Sequence, residues 1–300
     1  MKLARLGLAL AAVLAVAGAA MAQEGTLDKI RKSGSITLGH RDASIPFSYY
    51  DDKQQPVGYA MDLCLRIVEA IRNEIKLPKL DVKYQLVTSA NRIPLMANGT
   101  IDLECGSTTN NLERQKQVWF TITHFVTANR WVAKKASNLN VLADLKGKTV
   151  VSTAGTTNIK QITELNAAHN LGMNILSANG HAEALQMVET GRAAAFVMDD
   201  ILLYGLVAQS RNPGEWAFSR DPLSVEPYGI MLRKDDVAFK KVVDAAMTGI
   251  YKSGQIHAIY EKWFLKPIPP KGINLNVPMS EQFKRVVANP TDSGDPAAYK

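Results

Sequence analysis

The sequence predicts an α/β protein, because two successive series of strands alternate with helices along the chain. The first series covers residues 35–105 and the second residues 145–208. In each series, short alternating or apolar runs are followed by stretches in which apolar residues recur every three to four positions. Strands that alternate with helices pair in parallel through right-handed crossovers, so each series predicts a sheet of its own.

The periodicity of apolar residues separates helices from strands in the first series. A helix that starts at Met61 places Ile67 and Ile71 on one face. Ser89 is suited to cap a short helix that ends at Gly99. The predicted elements are a strand at 35–40, a loop or hairpin at 46–58, the helix from 61, a strand at 82–86, the helix of 89–99 and a strand at 101–105.

The second series weakly repeats the first. Residues 91–109 and 182–200 each run from a helix through a glycine and an apolar strand into a polar turn. Ligands of open α/β sheets bind beyond the carboxyl ends of the strands, so two such units predict a cleft between two lobes. A helix followed by a glycine and a strand is also a common connection in α/β proteins, and by itself it does not indicate two lobes. The predicted elements are strands at 149–152, 174–176 and 193–198 and helices at 158–168, 181–189 and 201–208.

The last part of the chain is predicted to return to helices. An apolar run at 230–232 is followed by helices at 237–253 and 255–264. The remainder, from Pro267, is rich in Pro, Lys and Asn and is expected to wrap the surface. Residues 291–300 are expected to be frayed, as chain termini often are.

The amino terminus predicts export. Lys2 and Arg5 precede an apolar stretch, and Ala20-Met21-Ala22 resembles a signal-peptidase site, so residues 1–22 are predicted to be a signal peptide cut before Gln23. No later stretch approaches about 18 consecutive apolar residues. We therefore expect a periplasmic protein.

Charge and cysteine content narrow the function classes. The formal net charge is +7, but the basic residues are scattered among acidic ones, which does not indicate a nucleic-acid surface. Cys64 and Cys105 are the two cysteines, and after export they could form a disulfide or stay as buried thiols. Without a CxxC motif or clustered His, no metal site is expected, and no cofactor motif is found.

Five turns after predicted strands carry residues suited to bind an acidic amino acid. Arginine donates planar, bidentate hydrogen bonds to carboxylates, and a carboxylate pairs with an ammonium group. Arg41, Arg92 and Arg114 against Asp199 match a molecule with two carboxylates and one ammonium. The turns are residues 40–41, 89–92, 107–114, 156–157 and 198–200.

Each of these residues also has a purely structural interpretation. Ser89 can be a helix cap only, and Asp199 or Asp200 can cap the helix predicted from Ile201. A single arginine after a strand is commonly a solvated surface residue, and His181 could be one as well. Their joint placement between two lobes favours a binding function.

Six segments resemble the periplasmic glutamate/aspartate-binding proteins of ABC importers, which belong to family 3 of the amino-acid solute-binding proteins. The resemblance extends from about Gly25 to Asn289. The most specific segments are ECGSTTNN followed by ERQ, and FVMDD. The others are GHR at 39–41, PFSYY at 46–50 and TSANRIP at 88–94. The sequence departs from the family pattern at Cys64 and at Ile230-Met231, which leaves the cysteine pairing open.

The resemblance implies a two-lobe periplasmic-binding-protein fold of type II, with a cleft between lobes that two hinge strands join. Lobe 1 is then residues 23–129 together with 228–300, and lobe 2 is residues 130–227. It also implies the ligand contacts. The α-carboxylate would bind Thr109, Arg114 and Thr157, and the ammonium would bind Ser107 and Asp199. The side-chain carboxylate would bind Arg41, Ser89, Arg92 and His181.

The expected function is capture of glutamate or aspartate as a monomer, without catalysis, and delivery to an ABC transporter permease. Two alternatives remain. One is an enzyme on the same scaffold, resembling cyclohexadienyl dehydratases, but the obvious cleft carboxylate, Asp199, is already needed for the ammonium. The other is a sensor that reports to a receptor. The sequence does not rank glutamate against aspartate or identify the permease-contact surface.

Overall fold

The computed structural model describes residues 24–300. The predicted signal peptide, residues 1–22, lies outside the described residues. Within residues 24–300, no helix has both the length and the apolar character that crossing a membrane requires.

Nine α-helices lie within residues 24–300. Seven of them were predicted, most within two residues of their observed starts, whereas the first and the last were not predicted. Their ends follow local chemistry: Thr156 caps α4 by accepting a hydrogen bond from the backbone N–H of Ile159 at 3.2 Å. The helices are α1 (Thr26–Ser33), α2 (Tyr59–Glu74), α3 (Arg92–Ala97), α4 (Thr157–Ala168), α5 (His181–Glu189), α6 (Asp200–Gln209), α7 (Val237–Lys252), α8 (Gln255–Phe264) and α9 (Glu281–Ala288).

Fifteen strands lie in the same part of the chain. They are β1 (Ser35–His40), β2 (Ala43–Ser44), β3 (Ser48–Tyr50), β4 (Pro56–Val57), β5 (Asp81–Leu86), β6 (Leu103–Glu104), β7 (Val118–Phe120), β8 (Phe125–Thr127), β9 (Asn129–Lys134), β10 (Thr149–Thr153), β11 (Asn174–Ala178), β12 (Ala195–Asp199), β13 (Trp216–Phe218), β14 (Glu226–Tyr228) and β15 (Met231–Arg233).

The strands form two five-stranded sheets, one for each series. The first has the order β5-β1-β6-β15-β7 and the second the order β11-β10-β12-β9-β13. The predicted parallel pairing holds for β1 with β5 and β6, and for β10 with β11 and β12. The later strands β15, β9 and β13 pair antiparallel, so both sheets are mixed. A third, small sheet has three strands in the order β2-β3-β4.

Two strands connect the sheets. β8 leads from the first sheet into the second, β14 leads back, and they pair antiparallel with Glu226 opposite Thr127. Aromatic rings pack against this ribbon, including Phe47 with Phe125 at 5.0 Å between ring centroids. The lobe boundaries predicted after residues 129 and 227 lie at this ribbon and stay a prediction.

A disulfide links Cys64 in α2 with Cys105, the residue after β6. Both half-cystines are fully buried. The structure thereby decides the alternative that the sequence left open. The bond ties the core helix of the first lobe to the start of a loop, residues 107–114, that reaches the space between the sheets.

Two local predictions were wrong. Ser89 does not cap α3: the N-cap position belongs to Asn91, and the Ser89 hydroxyl has no hydrogen-bond partner within residues 24–300. The end of the chain is not frayed either. Tyr299 is 1% exposed and forms a hydrogen bond with the Thr123 hydroxyl at 2.7 Å, so long-range packing stabilises the terminus.

Candidate functional site

A narrow cavity of about 10 Å³ lies between the two sheets, beyond the carboxyl ends of β6, β10 and β12. This is the position at which open α/β sheets bind ligands. Seven of the nine predicted site residues line it, while Arg41 and Arg114 do not. The lining residues are Ser89, Arg92, Ser107, Thr109, Thr156, Thr157, Asn158, His181, Met198, Asp199 and Leu202.

The first set of polar side chains at the cavity is the arginine group, which consists of Arg41, Ser89, Arg92 and His181. All four are at least 97% buried. In the described part of the chain, Nε and Nη1 of both arginines and the Ser89 hydroxyl have no hydrogen-bond partner. Such groups are costly to bury unpaired, so the arginine group is suited to receive an anionic group.

Burial and mutual repulsion act on the charges of the arginine group. Burial, followed by the neighbouring Arg92, lowers the pKa of Arg41 to about 10. At this value the guanidinium is charged at neutral pH. Burial and the charges of Arg41 and Arg92 hold the pKa of His181 well below its ordinary value, so its imidazole is neutral. Its Nδ1 lies 2.8 Å from the Thr153 hydroxyl.

The second set is the aspartate group, which consists of Asp199, Asn158 and Tyr228. Asn158 Nδ2 donates to Asp199 Oδ1 at 2.7 Å, and the Tyr228 hydroxyl donates to Oδ2. Although Asp199 occupies the N-cap position of α6, its side chain makes no capping hydrogen bond. The aspartate is therefore held toward the cavity by partners from α4 and β14.

Burial, and next the nearby Glu226 carboxylate, raise the pKa of Asp199 to about 7. The hydrogen bonds from Tyr228 and Asn158 act in the opposite direction but do not outweigh these two causes. A cation placed beside Asp199 would favour the ionised carboxylate and lower that pKa. Asp199 can therefore pair with an ammonium group and release a proton as it does so.

Asp200 and Asp199 are neighbours with different roles. The Asp200 carboxylate accepts from the Thr127 hydroxyl at 2.5 Å and lies 3.4 Å from Arg130 Nε. These contacts are at the ribbon between the lobes and not at the cavity. The sequence could not decide which of the two aspartates points inward, and the structure places Asp199 there.

Arg114 lies next to the cavity and joins the two lobes. Its Nη1 donates to the Thr109 backbone oxygen at 2.9 Å and its Nη2 to the Gly155 backbone oxygen at 3.2 Å. The hydroxyls of Thr109 and Thr157 also meet across the lobes, at 3.5 Å. The guanidinium thus holds Thr109, which lines the cavity, and the backbone two residues before Thr157.

Sequence reasoning missed two buried carboxylates. Glu104 is fully buried: its Oε2 accepts from the Thr108 hydroxyl at 2.5 Å, and its Oε1 lies 3.9 Å from Arg92 Nη1. Glu226 accepts from Thr157 at 3.1 Å and from two other side chains. The predicted balance of three arginines against one acid is therefore wrong, because three carboxyl groups lie among them. Glu104 stands inside the ECGSTTNN segment, which was the available signal.

Comparisons with known proteins agree with this geometry. Residues 36–266 match the model of the bacterial extracellular solute-binding proteins, family 3. The chain is 56% identical to the L-glutamate/L-aspartate-binding protein of Pseudomonas aeruginosa over 89% of each chain. It is 47% identical to the glutamate/aspartate import solute-binding protein of Escherichia coli, over 96% of this chain and 95% of the relative.

Solved structures show the same architecture. An ancestral arginine-binding protein bound to arginine is similar with a TM-score of 0.69 and 29% identity, over 77% of this chain and 98% of that one. The solute receptor for L-cysteine of Neisseria gonorrhoeae has a TM-score of 0.70 and 22% identity, over 80% and 93% of the two chains, and shares the fold.

Proposed function

The chain belongs to the bacterial extracellular solute-binding proteins of family 3, and from this premise we propose that it captures L-glutamate or L-aspartate between its lobes. Its two-lobe α/β fold of type II, predicted from the sequence, is confirmed. Two relatives carry both ligands in their names. The observation that carries the proposal is the cavity at which the buried, unpartnered donors of the arginine group lie across from Asp199.

The charges of the site determine the proposed orientation of the ligand. Its ammonium group binds Asp199 and Ser107, whose hydroxyl has no partner within residues 24–300. Its α-carboxylate binds Thr109 and Thr157, which line the cavity, and Arg114, which lies next to them. The side-chain carboxylate binds the arginine group, in which Ser89, Arg92 and His181 line the cavity and Arg41 lies beside them.

Discrimination between an acid and its amide follows from the arginine group. A carboxylate accepts hydrogen bonds from the unpartnered guanidinium atoms of Arg92 and from the Ser89 hydroxyl. An amide would bring an NH₂ group, which cannot accept, against donors that have no other hydrogen-bond partner within residues 24–300. Sites built to pair with a polar group reject analogues that leave buried groups unpaired much more strongly than shape alone does. Glutamine and asparagine are therefore expected to bind weakly.

Closure of the lobes brings backbone from both sides into contact. A Cβ at Gly205, in α6, would lie 2.6 Å from the Ile45 backbone oxygen, and one at Gly155 would lie 2.5 Å from Ala90 Cα. Side chains larger than glycine therefore do not fit between these surfaces. A ligand that contacts both lobes stabilises this arrangement, because the open form offers it only half of the contacts.

The proposed role in transport is based on the family and on the curated relatives. The family and the curated relatives are binding proteins of bacterial importers, and none of these relatives is named as an enzyme. We place this chain in the periplasm after removal of residues 1–22, as a monomer that delivers its ligand to the permease of an ABC transporter. The lobe boundaries after residues 129 and 227 belong to the same proposal.

A thermal-shift panel of the twenty amino acids tests the proposed function. Ligands that bind only the folded protein stabilise it, by about 2.7 kcal/mol at a concentration 100 times the Kd. Glutamate and aspartate should raise the unfolding midpoint, and glutamine and asparagine should raise it little. A larger shift with a neutral or basic amino acid would overturn the proposal, as would no shift with any of the twenty.

A further inference from the structure

The C-terminal tail, residues 290–300, lies beyond residue 266, where the match to the family model ends. It folds back onto the first lobe instead of leaving the surface. A short 3₁₀ helix, Pro296–Tyr299, ends it, and Tyr299 is 1% exposed. The tail is therefore a structural part of the lobe.

The tail contacts the 107–114 loop, which carries Ser107, Thr109 and Arg114. The Asp292 backbone oxygen accepts from Asn110 Nδ2 at 2.8 Å and from Gln115 Nε2 at 3.0 Å. Gln115 Nε2 also donates to Asn110 Oδ1 at 2.8 Å. Asn110 is fully buried, so these hydrogen bonds fix the loop between two of the proposed ligand residues.

Four further contacts anchor the tail itself. The Thr123 backbone N–H donates to the Thr291 oxygen at 2.8 Å, next to the ribbon between the lobes. The Tyr299 hydroxyl contacts the Thr123 hydroxyl at 2.7 Å and donates to the Ser293 oxygen at 2.7 Å. Asp292 forms an ion pair with Lys240 at 2.9 Å. The tail thus connects the start of the ribbon to the back of the 107–114 loop.

Gly294 is the point of closest approach between the tail and the loop. A Cβ at this position would lie 2.8 Å from the carbonyl carbon of Asn111 and 2.8 Å from the backbone nitrogen of Leu112. Both atoms are backbone, so neither can rotate away. An alanine at position 294 would push the tail and the loop apart.

We infer that the C-terminal tail, none of whose residues lines the cavity, positions the 107–114 loop for ligand binding by holding Asn110 and the adjoining Gln115. The inference rests on the proposed function, in which Ser107, Thr109 and Arg114 hold the amino-acid end of the ligand. The tail touches no ligand itself. Its residues are positioning residues that act through the loop.

The variant Gly294→Ala tests this role, with Gly214→Ala as the matched control, because a Cβ at Gly214 would meet nothing within 4 Å. Calorimetry measures the Kd for glutamate, and amide hydrogen exchange with mass spectrometry measures protection of residues 107–117. Losing one or two net hydrogen bonds of about 1 kcal/mol each corresponds to a Kd increase of about tenfold. Gly294→Ala should show this increase together with faster exchange, and Gly214→Ala should show neither.

A selectivity measurement separates positioning from general damage. The loop holds the end of the ligand that glutamate and glutamine share, so Gly294→Ala should leave the ratio of their Kd values unchanged. If Gly294→Ala does not fold, Tyr299→Phe, which removes only the hydroxyl contacts, should give the same pattern with a Kd increase of about threefold.

The outcomes separate this inference from the proposed function. If the unmodified protein binds no dicarboxylic amino acid, the proposed function fails, whereas the exchange measurement still reports whether the tail holds the loop. If it binds glutamate and Gly294→Ala binds equally well, with or without faster exchange, only the positioning role fails. A changed glutamate-to-glutamine ratio would also contradict that role.

Discussion

The arginine group and the aspartate group adjoin one cavity but differ in how their polar atoms are paired. Both oxygens of Asp199 accept hydrogen bonds, from Asn158 and Tyr228. In the arginine group, Nε and Nη1 of Arg41 and Arg92 have no hydrogen-bond partner within residues 24–300. The protein itself orients the aspartate group, whereas the arginine group is arranged to receive its hydrogen-bond partner from a ligand.

The difference separates affinity from selectivity. A carboxylate that is already oriented can pair with an ammonium without rearrangement, and every amino acid carries that ammonium. Donors that have no partner in the protein stabilise only ligands that bring an acceptor, and the side-chain carboxylate of a dicarboxylic amino acid is such an acceptor. Changes to the aspartate group should therefore weaken all ligands, and changes to the arginine group should alter their ranking.

The largest effect is expected for Asp199→Asn. Removing one partner of a buried ion pair costs about 3–5 kcal/mol, so the affinity for glutamate should fall more than a hundredfold. Calorimetry measures this loss. Asp200→Asn is the matched control, since Asp200 contacts Thr127 and Arg130 instead of the cavity. Equal affinities in the two variants would show that Asp199 does not pair with the ligand.

Arg92→Met should change selectivity more than general binding. It removes a charged hydrogen bond to the side-chain carboxylate, worth about 1.5–3 kcal/mol, which glutamine cannot make equally well. The ratio of the glutamine Kd to the glutamate Kd should fall by about tenfold or more in competition calorimetry. Arg130→Met, on the outer side of the ribbon, should leave this ratio as it is. An equal loss of affinity for glutamate and glutamine would show that Arg92 does not contribute to selectivity.

Gly205→Ala should act on closure and on neither group directly. The added Cβ meets the Ile45 backbone only when the lobes approach, and such overpacking costs about 1–3 kcal/mol, or a Kd increase of about fivefold to a hundredfold. The control is Gly249→Ala, in helix α7, where a Cβ meets nothing within 4 Å. Small-angle scattering should show a more open average shape only for Gly205→Ala. Unchanged affinity would mean that the lobes close along another path.

The smallest effect is a pH dependence that originates in the aspartate group. Burial, and next Glu226, raise the pKa of Asp199 to about 7, while Tyr228 and Asn158 lower it less. A ligand ammonium lowers this pKa, so binding releases a proton near neutral pH, and affinity falls as pH falls through 7. The Kd should rise about tenfold from pH 8 to pH 6. Calorimetry in buffers of different ionisation enthalpy measures the released proton; proton uptake would contradict this sign.

The sequence predicted the parts of the molecule that depend on local pattern. Helices 181–189 and 255–264 were predicted at their observed bounds, because the apolar periodicity and the flanking residues indicate the same ends. Seven of the nine predicted site residues line the cavity, since the turns after parallel strands meet at one edge.

The failures depend on contacts between distant residues. Ser89 was predicted as a possible cap, but Asn91 occupies the N-cap position and the Ser89 hydroxyl has no hydrogen-bond partner within residues 24–300. The terminus was expected to fray, but Tyr299 contacts Thr123, 176 positions earlier. The buried charge of Glu104 was missed because a carboxylate in an apolar strand shows no sign of which arginine lies near it. Sequence spacing alone does not reveal such pairings.

A crystal structure of the complex with L-glutamate tests the central claim most directly. We expect the side-chain carboxylate to lie within hydrogen-bond distance of Arg92 and Ser89, and the ammonium group to lie on Asp199. A ligand bound in the reverse orientation, or held away from the cavity, would contradict it.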